Sequence, residues 1–232
     1  MATISKTNGK KVSKIKYEGE IYDTGGSGVN PLQHIIDNHK GDGKPSGEDL
    51  FYEYWGSSLD DAINSCDFSK ITSAWQMFYD CKNLISVPYF DTSSCSNMAY
   101  MFCECKNLTT IPQLNTSNVT NMGSMFVSCY KLTKIDITHM NITSTAYSGS
   151  FASSCYSLTK LIIRNMPTIP VLATNSFREC YHFDGTPNMP YNPKGLKDGR
   201  IYVPDDKVEA LKTATNWSVY ADIIVPLSTL VE

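Results

Sequence analysis

At 232 residues the chain is long enough to bury a core of its own. Hydrophobic residues make up 41% and charged residues only 19%, so Ser, Thr, Asn and Tyr stand where charge would otherwise be, and the surface suits neutral polar and aromatic contacts. A net charge of −3 gives no general attraction to phosphate, which argues against nucleic acid or an anionic membrane as partner of the body, and no run of about eighteen apolar residues offers a membrane span.

The opening MATISKTNGKKVSKIK is locally basic through Lys6, Lys10, Lys11, Lys14 and Lys16. It holds no apolar run of the length a secretory leader needs, so Sec-dependent export is not expected. The alternation KVSKIKYEGEIYDT, with Glu18-Gly19 between Ile15, Tyr17 and Ile21, Tyr22, predicts a hairpin, and GGSG at 25–28 a flexible joint. Asn30-Pro31 predicts an N-cap and first helical residue for a short helix through Leu32, Ile35 and Ile36. His39 to Glu48 reads as a loop. Ser58 with Asp61 has the spacing of a capping box for a helix through Leu59, Ala62 and Ile63.

From residue 67 the sequence repeats. Met77-Phe78, Met101-Phe102 and Met125-Phe126 recur at steps of 24, followed by Phe151 and Phe177. Cys81, Cys105, Cys129, Cys155 and Cys180 follow each Phe, then Leu84, Leu108, Leu132, Leu158 and Phe183, then Val87, Ile111, Ile135 and Leu161. Upstream, Asp67, Asp91 and Asn115 keep the register, as do Ile71, Cys95 and Val119, and Ala74, Met98 and Met122. One apolar set per short period is what a chain needs when each winding must stack on the next, because a single winding cannot bury enough to fold alone. The periodic cysteines then read as small buried hydrophobes. Cys103-x-Cys105 lacks a second pair at zinc spacing. Of His34, His39, His139 and His182, only His182 lies near a thiol, Cys180, and a core thiol beside a surface imidazole is the simpler reading. GGSG lacks the spacing of a nucleotide-binding loop. Asn107, Asn115, Asn118, Asn141 and Asn216 open N-x-S/T sequons, expected by chance in a chain this rich in Asn and Thr.

The strings MFYDCKNLISV, MFCECKNLTTI and MFVSCYKLTKI, joined by DTSSCSNMAYMF and NTSNVTNMGSMF, resemble the BspA-type leucine-rich repeats of bacterial surface proteins and their phages. The resemblance covers about residues 67–186, and IYVPDDKVEALKTATNWSVYADII is similar to the segment that often closes such arrays. It implies an α/β solenoid: a right-handed array of about five coils with short parallel strands on one face and helical caps at both ends. It implies adhesion or recognition and no catalytic residue. The usual turn Asn is missing, with the Cys column in a comparable buried slot. Pro88 and Pro112, just after the inward Val87 and Ile111, predict very short strands in the first two coils. Thr186, Pro187, Pro190 and Pro193 predict the end of the array. Beyond it, Ile201 to Val203 reads as a strand, and Asp205 or Asp206 as the start of a helix with Val208, Leu211 and Ala214 on one face.

The expected division is an attachment segment (1–28), a helical cap (29–66), the array (67–186) and a closing strand–helix cap (187–232). Alternation about the inward column turns Ser86, Thr110, Lys134 and Lys160 outward, together with Pro88, Pro112, Asp136 and Ile162. A second outward row is Lys82, Lys106, Tyr130, Tyr156 and Tyr181. From these rows Lys134, Asp136, Lys160, Ile162, Tyr130, Tyr156 and Tyr181 are the candidate ligand-binding residues, the tyrosines serving equally well as a shield along the edge. No catalytic, cofactor or metal site is expected. The expected function is a non-enzymatic virion-associated phage protein (fibre, decoration or host-recognition component) on the particle exterior. Its N-terminal segment would meet other virion proteins, and its repeats a host glycan or protein, with homo-oligomers possible. The alternative is a bacterial cell-surface adhesin repeat.

Overall fold

In a computed structural model the described residues are 3–4, 14–17, 20–23, 31–37, 46–52, 54, 59–140, 150–173, 176–185 and 198–231. The N-terminal strands β1 (Thr3–Ile4), β2 (Lys14–Tyr17) and β3 (Glu20–Asp23) form an antiparallel sheet in that order. Tyr17 pairs with Glu20, so only residues 18 and 19 separate β2 from β3, as the alternation predicts. Helix α1 (Pro31–Asp37) buries Leu32, Ile35 and Ile36. The GGSG joint, Asn30, Ser58 and most of the 39–48 loop lie outside the described residues. Helix α2 (Asp60–Asn64) buries Leu59, Ala62 and Ile63, but the capping box is corrected. Leu59 occupies the N-cap position without a side-chain bond, so the helix starts too late for a serine at 58 to cap it.

From Gly47 onward successive windings lie on one another, joined by backbone bonds across the repeat. The N–H groups of Gly47, Asp49 and Phe51 donate to the carbonyls of Ser73, Trp75 and Met77 at 2.8–3.0 Å. Those of Ala74, Gln76, Phe78 and Asp80 reach Asn97, Ala99, Met101 and Cys103, and the pattern repeats from Met98 to Glu104. Residues 46–52 are therefore a winding of this stack. This winding precedes the start expected at 67; GEDLFY carries no cysteine, and its leucine, Leu50, stands one residue before Phe51 where the later repeats have methionine.

The repeat also contains a backbone feature with no residue signature. Asp49, Gln76, Tyr100 and Ser124 in one column, and Asp80, Glu104, Ser128, Ser154 and Glu179 in another, adopt left-handed backbone with φ of 52–65°. Each non-glycine residue there costs on the order of 1–3 kcal/mol. The return is geometric: the turned N–H groups of seven of them, from Asp49 to Ser154, donate to a carbonyl of the following winding.

Inside the stack the columns are buried. Phe51, Phe78, Phe102 and Phe126 stack face to face, with centroids 5.1–5.6 Å apart and planes within 10°. Between Phe126 and Phe151, where the step lengthens from 24 to 25 residues, the contact turns edge-on at 82°. Asp67, Asp91 and Asn115 bend back to the N–H two residues on, at 2.8–3.1 Å, and so fix the turn that opens each winding.

One flank forms a parallel sheet of β4 (Lys134–His139), β5 (Lys160–Asn165), β6 (Arg200–Val203) and β7 (Ile224–Pro226), paired in that order. In the first two repeats the same flank offers only isolated bridges such as Ser86 with Thr110, consistent with a proline at the next-but-one position of each. The expected end near 186 applies to the array only in part. β6 pairs with β5 in register (Leu161 with Ile201) and β7 with β6, so the sheet runs on through the closing segment, with Ile201 and Ile224 in the inward column. Pro187, Pro190 and Pro193 lie outside the described residues.

After the short helix α3 (Tyr181–Asp184), the helical start expected at Asp205 or Asp206 is a 3-10 turn, Asp205–Lys207, leading into α4 (Val208–Thr213). Asp205 does not cap it; hydrogen bonds from the Ser228 side chain and from the Ser228 N–H, the latter at 3.1 Å, hold the Asp205 carboxyl below its usual pKa. α4 buries Val208 and Leu211, and Ala214 is half-buried. Trp217, fully buried, and Tyr220 close the phenylalanine column against Phe177, and the Trp217 indole donates to the Pro170 carbonyl at 2.9 Å.

Candidate functional site: the side-chain rows and the sheet face

The cysteine column is a ladder of thiol donors. The Cys81, Cys105 and Cys129 thiols donate to the carbonyls of Phe51, Phe78 and Phe102, Cys155 to Phe126 and Cys180 to Ala152, at 2.9–3.0 Å. Each adds a bond to a carbonyl of the preceding winding; those of Phe51, Phe78, Phe102 and Phe126 also accept a backbone N–H of their own turn, at 3.0–3.3 Å. All eight cysteines are free. Burial pushes the Cys105 and Cys155 thiols well above their ordinary range, and those of Cys95 and Cys103 up to about 12. Thiols held protonated in this way are poor nucleophiles and poor metal ligands. Cys180 and His182 have separate partners: the imidazole Nδ1 lies 2.7 Å from the Asp198 carboxylate. The sequon amides of Asn107, Asn118 and Asn216 donate to backbone carbonyls of other segments, and Asn115 accepts from Ser117 N–H; Asn141 lies outside the described residues.

The tyrosine row is closed on itself. Tyr130, Tyr156 and Tyr181 stack at 4.7 and 5.0 Å with planes 15° and 8° apart. The outer face of Tyr130 carries the Lys106 ammonium at 5.5 Å, and Lys106 in turn pairs with Glu104. Tyr181 is 7% exposed, against its expected outward role. Rings engaged on their faces offer a ligand edges and hydroxyls but no stacking platform, so the row acts as a lateral clamp between windings. An equivalent clamp, Tyr52 on Tyr79 at 5.1 Å, stands at the first winding and was not legible, because residues 46–52 are not recognisable as a repeat.

The sheet face divides in two. Asp136 and Ile162 are corrected as open contact residues: they are 4% and 2% exposed. Arg164 holds both Asp136 oxygens, Nε to Oδ1 at 2.9 Å and Nη2 to Oδ2 at 2.8 Å. A 3-10 turn, Leu227–Thr229, follows β7 and packs against β5, where Ile162 lies. Alternation placed both on the outward face; it could not show that the far C-terminus folds over that face.

The strand entrances remain open. Lys134, Lys160 and Arg200 are register neighbours across β4, β5 and β6, with Lys134 exposed and the other two half-buried. At the strand exits His139 Nδ1 meets the Ser117 hydroxyl at 3.0 Å and His139 Nε2 meets the Asn165 amide at 2.7 Å. Lys134 and Lys160 were visible as candidates from the repeat. Arg200 was not, since no repeat motif places it.

This geometry defines a repeat protein, in which equivalent slots of successive windings are filled by the same kind of side chain and joined in register. The chain belongs to the family described as "Mycoplasma protein of unknown function, DUF285", whose model matches residues 47–164, just over half of the sequence. The match begins at Gly47, the first described residue whose backbone N–H donates to the following winding. No curated protein and no solved structure matches the chain. No described helix is long and apolar enough to cross a membrane.

Proposed function

We propose that the chain is a non-enzymatic recognition module: a right-handed leucine-rich-repeat solenoid of the BspA type that presents the open part of its sheet face to a partner. The supporting observation is how the polar side chains are used. Thiols, hydroxyls, amides and carboxylates that could serve chemistry are spent on bonds between windings, as at Cys105, Thr109, Asn118 and Asp136. The Lys134, Lys160 and Arg200 row at the strand entrances is not. A stack held this way is a stiff display surface.

Its place, on this reading, is the exterior of a phage particle, with the β1–β3 segment as the attachment to other virion proteins. The second reading, a bacterial cell-surface adhesin repeat, is favoured by the family description, which names a bacterium. Antibody labelling of purified particles and of producing cells, imaged by electron microscopy, separates the two. Label on particle exteriors, lost when residues 1–28 are deleted from a still-folded chain, is the result expected for the virion. Label confined to cell surfaces replaces it with the adhesin, and label on neither surface overturns display as the role.

A further inference from the structure

The open cations on the sheet face form a line. Lys134 pairs in register with Lys160, and Lys160 with Arg200, so three positive side chains project from neighbouring parallel strands, about 4.8 Å apart. Like charges placed directly across strands destabilise a sheet. Many other described cations have a carboxylate: Lys82 has Asp80, Lys106 has Glu104, Arg164 has Asp136, Lys212 has Glu209. Among the described residues none of the three makes an ion pair, and the Arg200 guanidinium donates to the Gly199 carbonyl at 2.7 Å. Asp136, two residues after Lys134, is committed to Arg164, and Asp198, two residues before Arg200, to His182.

We propose that this row is a binding site for a linear anionic polysaccharide laid across the strands, its successive acidic groups over Lys134, Lys160 and Arg200. The proposal names the ligand class for the recognition reading above and rests on it. A line of single charges at strand spacing fits a polymer with regularly repeated sulfate, phosphodiester or carboxylate groups. The hydroxyls of Ser86 and Thr110, the repeat equivalents of Lys134, continue the outward column toward the first winding and suit sugar hydroxyls. Single-stranded nucleic acid is disfavoured, because the neighbouring tyrosine faces are closed to base stacking. Duplex DNA is disfavoured by the net charge of −3.

The test is titration of the full chain with heparin, a carboxylated polyuronate and a phosphodiester-linked polysaccharide, with duplex DNA as control, at low and at physiological salt. At least one polysaccharide is expected to bind with an affinity that falls with salt, and the ranking of the three identifies the anionic group. The triple variant K134Q/K160Q/R200Q is expected to lose tenfold or more while unfolding no earlier than the parent. Lys212→Gln, on α4, is expected to leave binding unchanged. Unchanged binding by the triple variant, no binding to any of the three polymers, or equal binding to duplex DNA overturns the proposal. Failure here with surface labelling intact removes only the ligand class; polymer binding with labelling on neither surface removes only the place of display.

Discussion

The buried thiol of Cys105 serves as a hydrogen-bond donor that is small enough for a packed winding and apolar enough to tolerate burial. Replacing it with alanine keeps most of the packing but removes one of the two hydrogen bonds to the Phe78 carbonyl, which retains the Cys81 N–H at 3.3 Å, a loss of about 0.5–1.5 kcal/mol that chemical denaturation will read. The buried thiols, Cys95 and Cys103 beside those of the column, also set a pH limit. In the unfolded chain the thiols ionise near 9.0, whereas in the fold burial raises Cys95 and Cys103 to about 12 and Cys105 and Cys155 well upward. The stability tied to these groups is therefore complete below about pH 9 and is lost as pH rises toward the folded values, because only the unfolded state gains by ionising. Under reducing conditions the urea midpoint is expected to fall between about pH 8 and pH 10.5. A midpoint that stays level across that range contradicts the burial of these thiols.

Among the elements, β4 and β5 carry the most exacting polar contact. Asp136 is nearly inaccessible, and its charge is balanced by the two-pronged grip of Arg164, whose side chain is one-third exposed. Arg164→Met is expected to cost about 2–3 kcal/mol, less than a wholly enclosed pair because water still reaches the guanidinium, and mostly from the carboxylate left without a counter-charge. Adding Asp136→Asn should recover part of that loss in the same denaturant titration; a double variant no more stable than the single one would show that the pair matters through shape instead of charge. The sequence placed Asp136 correctly on the outward side of its strand, since alternation is a local property. Its burial depends on Arg164, 28 residues away, and the covering of Ile162 on a turn 65 or more residues further along.

For the molecule as a whole, the open ends decide whether the stack stays discrete. The phenylalanine column would present Phe177 to solvent were it not for Trp217 and Tyr220. Trp217→Ala is expected to cost about 3–5 kcal/mol through the cavity it leaves and to expose an apolar terminus that joins other copies end to end. Light scattering after size exclusion reads the second effect, and an unchanged mass together with an unchanged unfolding midpoint would remove Trp217 from the capping role. At the opposite end Phe51 performs the same closure on Phe78 from within an irregular winding.

The periodic sequence by itself determined which side chains go inward and how far apart they recur, because burial of Phe102, Cys105, Leu108 and Ile111 follows from a repeat that every winding must obey. It also determined the β2–β3 hairpin and the brevity of strands beside Pro88 and Pro112, which are local consequences of alternation and of a missing N–H. Only the tertiary structure decided the rest. The left-handed residues persist because the next winding accepts their N–H groups, the tyrosines are closed because they stack on one another, and Arg200 joins Lys134 and Lys160 because β6 pairs where no repeat motif remains. Each of these is set by contacts between segments far apart in the chain, which a local pattern of residues does not encode.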